Sequence, residues 1–167
     1  MKKELFVMFF GLLLSSFVYS QTTDSLMKLG YELQNCSKYS EAVELYNSIL
    51  TNDANNPNAM YQKALCFMRI HKAKEALEVF LKLIDTQPDF IGGVYGAATA
   101  CVALKKWDTG MDYINIAIVA EPENAEYYMI RGQIYLKLKE KKRACKDFKK
   151  AKKLGSYDAK ITMKINC

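Results

Sequence analysis

Apolar residues recur along most of the chain at intervals of three and four residues, which is the period of one face of an α-helix. Leu26, Leu29 and Leu33 show this spacing near the N-terminus, with Gly30 on the same face. The spacing returns near the C-terminus, and no run competes with it by alternating apolar and polar residues as a half-buried strand would. The pattern therefore predicts an all-α chain.

The helical pattern repeats every 34 residues from residue 23 onwards, in four blocks that need no insertion or deletion. The blocks are 23–56, 57–90, 91–124 and 125–158. A small residue stands at the eighth place of each block, and a large apolar residue stands at the twenty-fourth. Each block has a polar turn near its middle and ends in a run that favours a turn. We therefore predict four helix–turn–helix hairpins whose small residues let paired helices approach closely.

The order of small and aromatic residues within a block resembles that of the tetratricopeptide repeat. The fourth block carries the resemblance with Gly132, Tyr135, Ala144, Phe148 and Ala151. All four blocks share it. The resemblance implies a right-handed α-solenoid over residues 21–158, in which the first helix of every block lines a concave wall that binds a peptide or protein. A capping tail, 159–167, is expected to cover only part of the last repeat.

The register assigns the concave wall to the second, fifth, ninth and twelfth places of each block. These places are rich in Tyr and Met and poor in charge. Tyr combines apolar area with a polar tip, and Met adapts to irregular partners. The predicted peptide-binding groove is lined by Met27, Tyr31, Tyr61, Leu65, Met68, Tyr95, Thr99, Met129 and Gln133. The alternatives are that these side chains pack against adjacent repeats, or that a terminal segment fills the groove.

Two features of the wall narrow its predicted ligands. Some members of the family hold an acidic C-terminus with Lys, Arg and Asn side chains, and this wall lacks that cluster. A receptor for chaperone tails is therefore not predicted. Gly92 and Gly96 do not have the spacing of a phosphate-binding loop. They are expected to leave a notch in the wall where a backbone or a ligand can approach closely.

The excess of positive charge lies near the C-terminus. The four blocks carry net charges of −3, +1, −2 and +7, and the tail adds +2, by counting Lys and Arg against Asp and Glu. The predicted basic patch is Lys142, Arg143, Lys146, Lys149, Lys150 and Lys153. We interpret it mainly as the solvated end of the stack, because no further repeat covers that end. The alternative is an electrostatic site for an anionic polymer or membrane surface, while a nucleic-acid partner is not expected.

The first twenty residues have the order of a secretory signal peptide: a basic start, an apolar run and small residues before a polar stretch. Cleavage is expected near Ser20 and Gln21. We therefore predict an exported bacterial protein, in the periplasm, associated with the cell envelope or secreted. The apolar run is too short to span a bilayer, so the mature chain is expected to have no transmembrane segment.

The cysteines and the single histidine do not predict an active site. The five cysteines are Cys36, Cys66, Cys101, Cys145 and Cys167. The first three are interpreted as small buried residues, whereas the last two could pair and clip the tail to the last helix. An intermolecular disulfide is a further alternative, because the number is odd. There is no C-x-x-C motif, and His71 has no companion, so neither a metal nor a cofactor is predicted.

No group of residues has the arrangement of a catalytic site. The exposed carboxylates of the second helices are interpreted as solvated charge that supports the helices. The leading hypothesis is thus an exported, non-enzymatic scaffold or assembly factor that binds a protein or peptide partner. The oligomeric state is left open.

Overall fold

A computed structural model describes residues 23–167, which form nine α-helices and no strands. The predicted signal peptide, 1–20, and its cleavage site lie outside the described residues. The helices are α1 (23–35), α2 (Tyr39–Asn52), α3 (Pro57–Arg69), α4 (Ala73–Thr86), α5 (Ile91–Ala103), α6 (Trp107–Ala120), α7 (Ala125–Lys137), α8 (Lys141–Lys153) and α9 (Tyr157–Asn166). The all-α prediction is confirmed. Among the described helices, none is long and apolar enough to cross a membrane.

The first eight helices form four consecutive hairpins, one for each block. Every helix from α2 onwards packs against the next, and α3 also touches α5, as α5 touches α7. The second helices α4, α6 and α8 make less contact with one another. Because first helices approach each other more closely than second helices do, the stack curves with its first helices on the inside. The residues described thus confirm the predicted solenoid.

Small residues set the spacing within the hairpins. A Cβ on Gly30 would lie 2.5 Å from the hydroxyl oxygen of Tyr46, and a Cβ on Gly132 would lie 2.5 Å from the ring of Phe148. Both aromatic side chains are fully buried. A larger residue at the eighth place would therefore push the paired helices apart, which explains why that place holds only Gly or Ala in all four blocks.

Each hairpin turns at a residue in the left-handed region of backbone space. Ser37, His71, Lys105 and Lys139 have φ between 59° and 63°, and none of them is glycine. The next amide in each turn donates to the carbonyl oxygen five residues earlier, which satisfies a helix C-terminus. The turn geometry repeats although the residue type does not. His71 accordingly occupies a turn and has no place in a reactive cluster.

The prediction of a notch at Gly92 and Gly96 is wrong. The ring of Phe80 occupies the space where Gly96 would carry a Cβ. A Cβ on Gly92 would lie 2.9 Å from the ring of Phe90 and 3.2 Å from that of Tyr61. The glycines therefore permit close packing by the chain's own aromatic rings and leave no opening for a ligand.

The C-terminal residues form a helix where only a short partial tail was expected. α9 begins at Tyr157, inside the fourth block, and the hydroxyl of Ser156 accepts a hydrogen bond of 3.2 Å from the amide of Ala159. α9 packs against α8 and buries Ala159 completely. It therefore covers the apolar side of the last repeat as a capping helix.

A disulfide joins Cys145 on α8 to Cys167 at the C-terminus, with 5.8 Å between their Cα atoms. Of the two interpretations offered by the sequence for these residues, the intrachain clip is thus the one observed. Cys66 and Cys101 are free and buried, as predicted. Cys36 is free and exposed, so its prediction as a buried residue is wrong. It lies just after the end of α1, where the chain turns and no other helix covers it.

Candidate peptide-binding groove

The predicted groove residues lie on the first helices of the four hairpins. Met27 and Tyr31 are on α1, Tyr61, Leu65 and Met68 are on α3, Tyr95 and Thr99 are on α5, and Met129 and Gln133 are on α7. Tyr31 and Gln133 are exposed, and the others except Met129 are half-buried. The inner face therefore offers a row of partly exposed Tyr, Met and Leu side chains.

Met129 is placed differently from the prediction. Only 6 % of it is exposed, and it belongs to the core cluster that includes Phe148 of α8 and Ala159 of α9. The last repeat is closed by α9, so a position that would face the groove in an interior repeat is drawn into the core here. Met129 consequently contributes almost no surface to the groove.

An aromatic cluster of Tyr61, Phe90, Tyr95 and Tyr127 joins three consecutive repeats on the inner side. The ring centroids of Tyr61 and Phe90 are 5.4 Å apart, and those of Tyr95 and Tyr127 are 5.1 Å apart. Both ring pairs are tilted, an arrangement that the charge distribution of aromatic rings favours. Tyr61 also packs against the buried ring of Phe80, with 6.0 Å between centroids. Tyr61 and Tyr95 are thus held by neighbouring rings.

The sequence analysis missed Phe90 and Tyr127. Phe90 is the residue that precedes α5, and Tyr127 is 4 % exposed on α7. Both occupy places of the repeat that were not assigned to the wall, and each reaches the aromatic cluster from the boundary between two blocks. An aromatic residue at the last place of a block and another at the third place of a block were the available signals.

Two carboxylates lie near tyrosines of the aromatic cluster. The Tyr127 hydroxyl donates a hydrogen bond of 2.7 Å to the Glu121 carboxylate. Burial and this contact raise the pKa of Tyr127. Burial raises the pKa of Tyr95 to about 12, and the nearby Glu126 carboxylate adds to the shift. Burial also raises the pKa of Tyr61. All three phenols are therefore neutral hydrogen-bonding groups at physiological pH.

Within residues 23–167, the groove offers apolar side chains and phenols and no cluster of metal ligands. No three His, Cys, Asp or Glu side chains of this part of the chain come together as a metal site. The half-buried side chains around the tyrosines are Leu65, Met68 and Thr99. Apolar surface, phenol hydroxyls and nearby carboxylates suit the recognition of a polypeptide.

The basic patch is partly engaged in contacts of its own. Lys142, Arg143, Lys146, Lys149 and Lys153 are exposed on α8, whereas Lys150 is half-buried. Arg143 pairs with Glu140 at 2.6 Å, and Lys150 pairs with Glu123 at 3.2 Å. Both cations also lie over tyrosine rings, at 5.7 Å from the centroids. The cations therefore line the outside of the last repeat and include two that anchor it.

An ion pair that the sequence analysis did not predict lies beneath this surface. Arg131 donates to the two carboxylate oxygens of Asp147 at 2.7 and 2.9 Å, and to the side-chain oxygen of Asn115 at 2.9 Å. Asp147 is only 5 % exposed. The hydrogen bonds with Asp147 raise the pKa of Arg131. These contacts tie α6, α7 and α8 together, so their role is structural.

Two family models match the chain. The model described as "Anaphase-promoting complex, cyclosome, subunit 3" matches residues 35–117, and the model described as "Tetratricopeptide repeat" matches residues 125–155. Two curated proteins of Arabidopsis thaliana are similar to part of the chain. Hsp70-Hsp90 organizing protein 3 is 26 % identical over 90 residues, and Hsp70-Hsp90 organizing protein 2 is 25 % identical over 89 residues. These matches span 54 % and 53 % of this chain but only 16 % of each relative.

Solved structures share the fold over most of the chain. MamA (41-end) from Desulfovibrio magneticus RS-1 has a TM-score of 0.73 at 23 % identity, covering 79 % of this chain and 75 % of that chain. TTC0263, a thermophilic TPR protein of Thermus thermophilus, has a TM-score of 0.73 at 24 % identity, covering 80 % of this chain and 74 % of that chain. These similarities confirm the α-solenoid. They give no support to the electrostatic alternative for the basic patch.

Proposed function

The chain belongs to the tetratricopeptide repeat family of protein–protein interaction modules, and we propose that it binds an extended polypeptide segment in its concave groove without catalysing a reaction. The observation that carries this proposal is the aromatic cluster. It presents Tyr61 and Tyr95, both half-buried, at matching places of the first helices α3 and α5, which touch each other. Half-exposed aromatic side chains on a concave surface are typical of polypeptide recognition.

The packing of these rings supports a binding role. Tyr61 rests on Phe80 and Phe90, and Tyr95 rests on Tyr127, so each ring is already held in place. A side chain that is held before binding loses little conformational entropy when a ligand arrives. The half-buried Leu65 and Met68 lie further along α3 and extend the apolar surface. Together, the two tyrosine rings and these apolar side chains fit a polypeptide segment of several residues better than a small molecule.

We further propose that the protein acts outside the cytoplasm as a scaffold or assembly factor. Residues 1–20 have the pattern of a signal peptide. The disulfide between Cys145 and Cys167 supports the same location, because disulfides persist in oxidising compartments. A curved stack with one binding face and no reactive cluster among its described residues suits a scaffold.

Site-specific photocrosslinking tests the groove directly. A photoreactive residue is placed at Thr99 in the groove and, as a control, at the exposed Glu75 on α4, in the cell that produces the protein. We expect a partner adduct from position 99 only, and we expect Tyr61→Ala combined with Tyr95→Ala to remove it. Tyr157→Ala is the matched control, because that tyrosine is 72 % exposed on α9, away from the groove.

Two results would contradict the proposal. One is equal crosslinking from positions 99 and 75. The other is an undiminished adduct at position 99 in a double variant whose circular dichroism and unfolding transition show that it is folded.

A further inference from the structure

The concave wall has the opposite charge balance to the rest of the chain. Lys and Arg outnumber Asp and Glu by 24 to 18 in the whole sequence. At the second, fifth, ninth and twelfth places of the four blocks, however, there is no Lys or Arg, and there are two acids, Asp24 and Glu126. A chain that is rich in cations thus keeps them off this surface, which makes the wall complementary to a positively charged ligand.

Tyr61 and Tyr95 occupy the same place of the repeat on α3 and α5, and these two helices touch each other. The Tyr61 ring comes within 3.2 Å of the place where Gly92 would carry a Cβ, and Gly92 is one helical turn before Tyr95 on α5. The hydroxyls of Tyr61, Tyr95 and Tyr127 are near enough that ionisation of Tyr61 would raise the pKa of the other two. The face of an aromatic ring attracts a cation. Two half-buried rings at matching places of adjacent helices therefore offer a surface on which an ammonium or guanidinium group can rest.

Glu126 supplies a carboxylate at the edge of this surface. It is exposed at the start of α7, directly before Tyr127, whose ring packs against that of Tyr95. Its charge contributes to the raised pKa of Tyr95. Among the described residues, no Lys or Arg forms an ion pair with Glu126, whereas Glu123, three residues earlier, pairs with Lys150. No cation of the described chain lies over the ring of Tyr61, Tyr95 or Tyr127 either. The chain's own cations thus leave this carboxylate and these rings available.

We propose that Tyr61, Tyr95 and Glu126 form a subsite for a Lys or Arg side chain of the bound segment. The ammonium or guanidinium group rests on the two rings and faces the Glu126 carboxylate, while neighbouring apolar side chains of the segment contact Leu65 and Met68. This assignment rests on the proposed function, since it names the class of polypeptide that the groove accepts. It gives the groove a preference for basic segments.

A titration with a simple cation tests the subsite independently of any partner. The intact protein, with ¹³C-labelled tyrosine rings, is titrated with tetramethylammonium chloride at constant ionic strength. Uncharged tert-butanol has a similar shape and serves as the control ligand. We expect saturable shifts of the Tyr61 and Tyr95 ring signals with tetramethylammonium and none with tert-butanol.

Two variants at neighbouring acids separate the charge effect from packing. Glu126→Gln is expected to weaken tetramethylammonium binding about fivefold, the size of one charge interaction at about 4 Å in water. Glu123→Gln is the matched control and is expected to leave binding unchanged, because that carboxylate already pairs with Lys150. Tyr95→Leu should abolish the saturable shift of Tyr61, whereas Tyr31→Leu on α1 should not.

The outcomes distinguish this inference from the proposed function. Equal shifts with the two ligands, or equal affinity in Glu126→Gln, would overturn the cation subsite even if position 99 still crosslinks a partner. Loss of that crosslink in the parent protein would instead count against the groove itself. If a partner is captured, replacing the Lys or Arg of its crosslinked segment by norleucine should weaken its binding more in the parent protein than in Glu126→Gln, where only the two rings remain. Equal weakening in both would also overturn the assignment.

Discussion

The groove and the outer face of α8 differ in both charge and rigidity. The groove is lined by half-buried tyrosines, each resting on another ring, with carboxylates at its edge. The basic patch on α8 consists mainly of exposed lysines on long, flexible side chains. The dense run of cations is the more conspicuous feature of the sequence. The groove is nevertheless the proposed binding site, because side chains that are already held in place lose less conformational entropy on binding.

The position of α8 explains its composition. It belongs to the last hairpin, so only the short α9 follows it, and much of its surface faces solvent. A face of a repeat that no neighbouring helix covers needs polar side chains. The inner side of the same helix remains apolar, with Ala144, Phe148 and Ala151 fully buried. The outer side of α8 is therefore polar, whereas Tyr61 and Tyr95 lie on the first helices of the two middle repeats.

The largest expected effect comes from removing the acid that fastens α8. Asp147→Ala leaves Arg131 without its main partner beneath the surface. We expect a loss of about 3 kcal/mol in the free energy of unfolding, because removing one member of a buried ion pair leaves the other charge buried without a partner. Urea denaturation measures it, with Asp112→Ala on the exposed side of α6 as control. A loss below about 1 kcal/mol would mean that the pair behaves as a surface salt bridge.

Opening the disulfide should have the next largest effect and should act on the C-terminal end only. The bond closes a loop with a sequence separation of 22 residues. Cys145→Ser combined with Cys167→Ser is expected to cost about 2 kcal/mol, because the unfolded end gains freedom. Hydrogen exchange should accelerate in α9 and leave α3 and α5 unchanged. Faster exchange in α3 would show that the stability of the groove depends on the disulfide, and it would contradict the expectation that the groove is independent of the C-terminal end.

Repetition explains which features could be predicted from the sequence. The hairpins, the small residue at the eighth place, and the groove positions of Tyr61 and Tyr95 all recur at 34-residue intervals, so the period located them. Arg131 and Asp147 occur together in one block only. For example, block two has Lys63 at the place of Arg131, and block three has Tyr113 at the place of Asp147. A periodic pattern cannot show a contact that is made once.

Contacts between distant places of the repeat could not be predicted from the sequence either. Tyr127 packs against Tyr95 of the preceding block, and Phe90 packs against Tyr61 from the far end of the same block. α9 begins inside the fourth block and continues beyond it, so the 34-residue period did not predict this helix. The turns are the opposite case. Their backbone conformation repeats from block to block, although the side chains of Ser37, His71 and Lys105 share no chemistry that a sequence pattern could show.

Alkaline pH should weaken the protein through its buried tyrosines. Burial raises the pKa of Tyr46 and of Tyr95 to about 12, above the value of about 10 for an exposed tyrosine. The unfolded chain therefore loses these protons first, so stability is complete below about pH 10 and falls between about pH 10 and 12. Urea midpoints at pH 9, 10 and 11 should fall less steeply in Tyr95→Phe. An identical slope would mean that Tyr95 titrates alike in both states.

The smallest expected effect comes from neutralising the exposed lysines of α8. Lys142, Lys146 and Lys149 are spaced by four and three residues, so like charges face each other along one side of the helix. Lys142 also lies in the first turn, where a cation opposes the helix dipole. The triple change to Gln should therefore raise the free energy of unfolding slightly, by about 0.5 kcal/mol. Urea denaturation measures this change.

The same triple variant decides between the two surfaces. If the groove is the binding site, the adduct from position 99 should be unchanged, because none of the three lysines lies on the first helices. Lys150→Gln is the matched single change, and it should destabilise slightly, since Lys150 pairs with Glu123 and lies over Tyr128. Loss of the adduct in a folded triple variant would place the partner on α8. The cation density of the sequence would then be the functional signal, and the aromatic cluster would be part of the core.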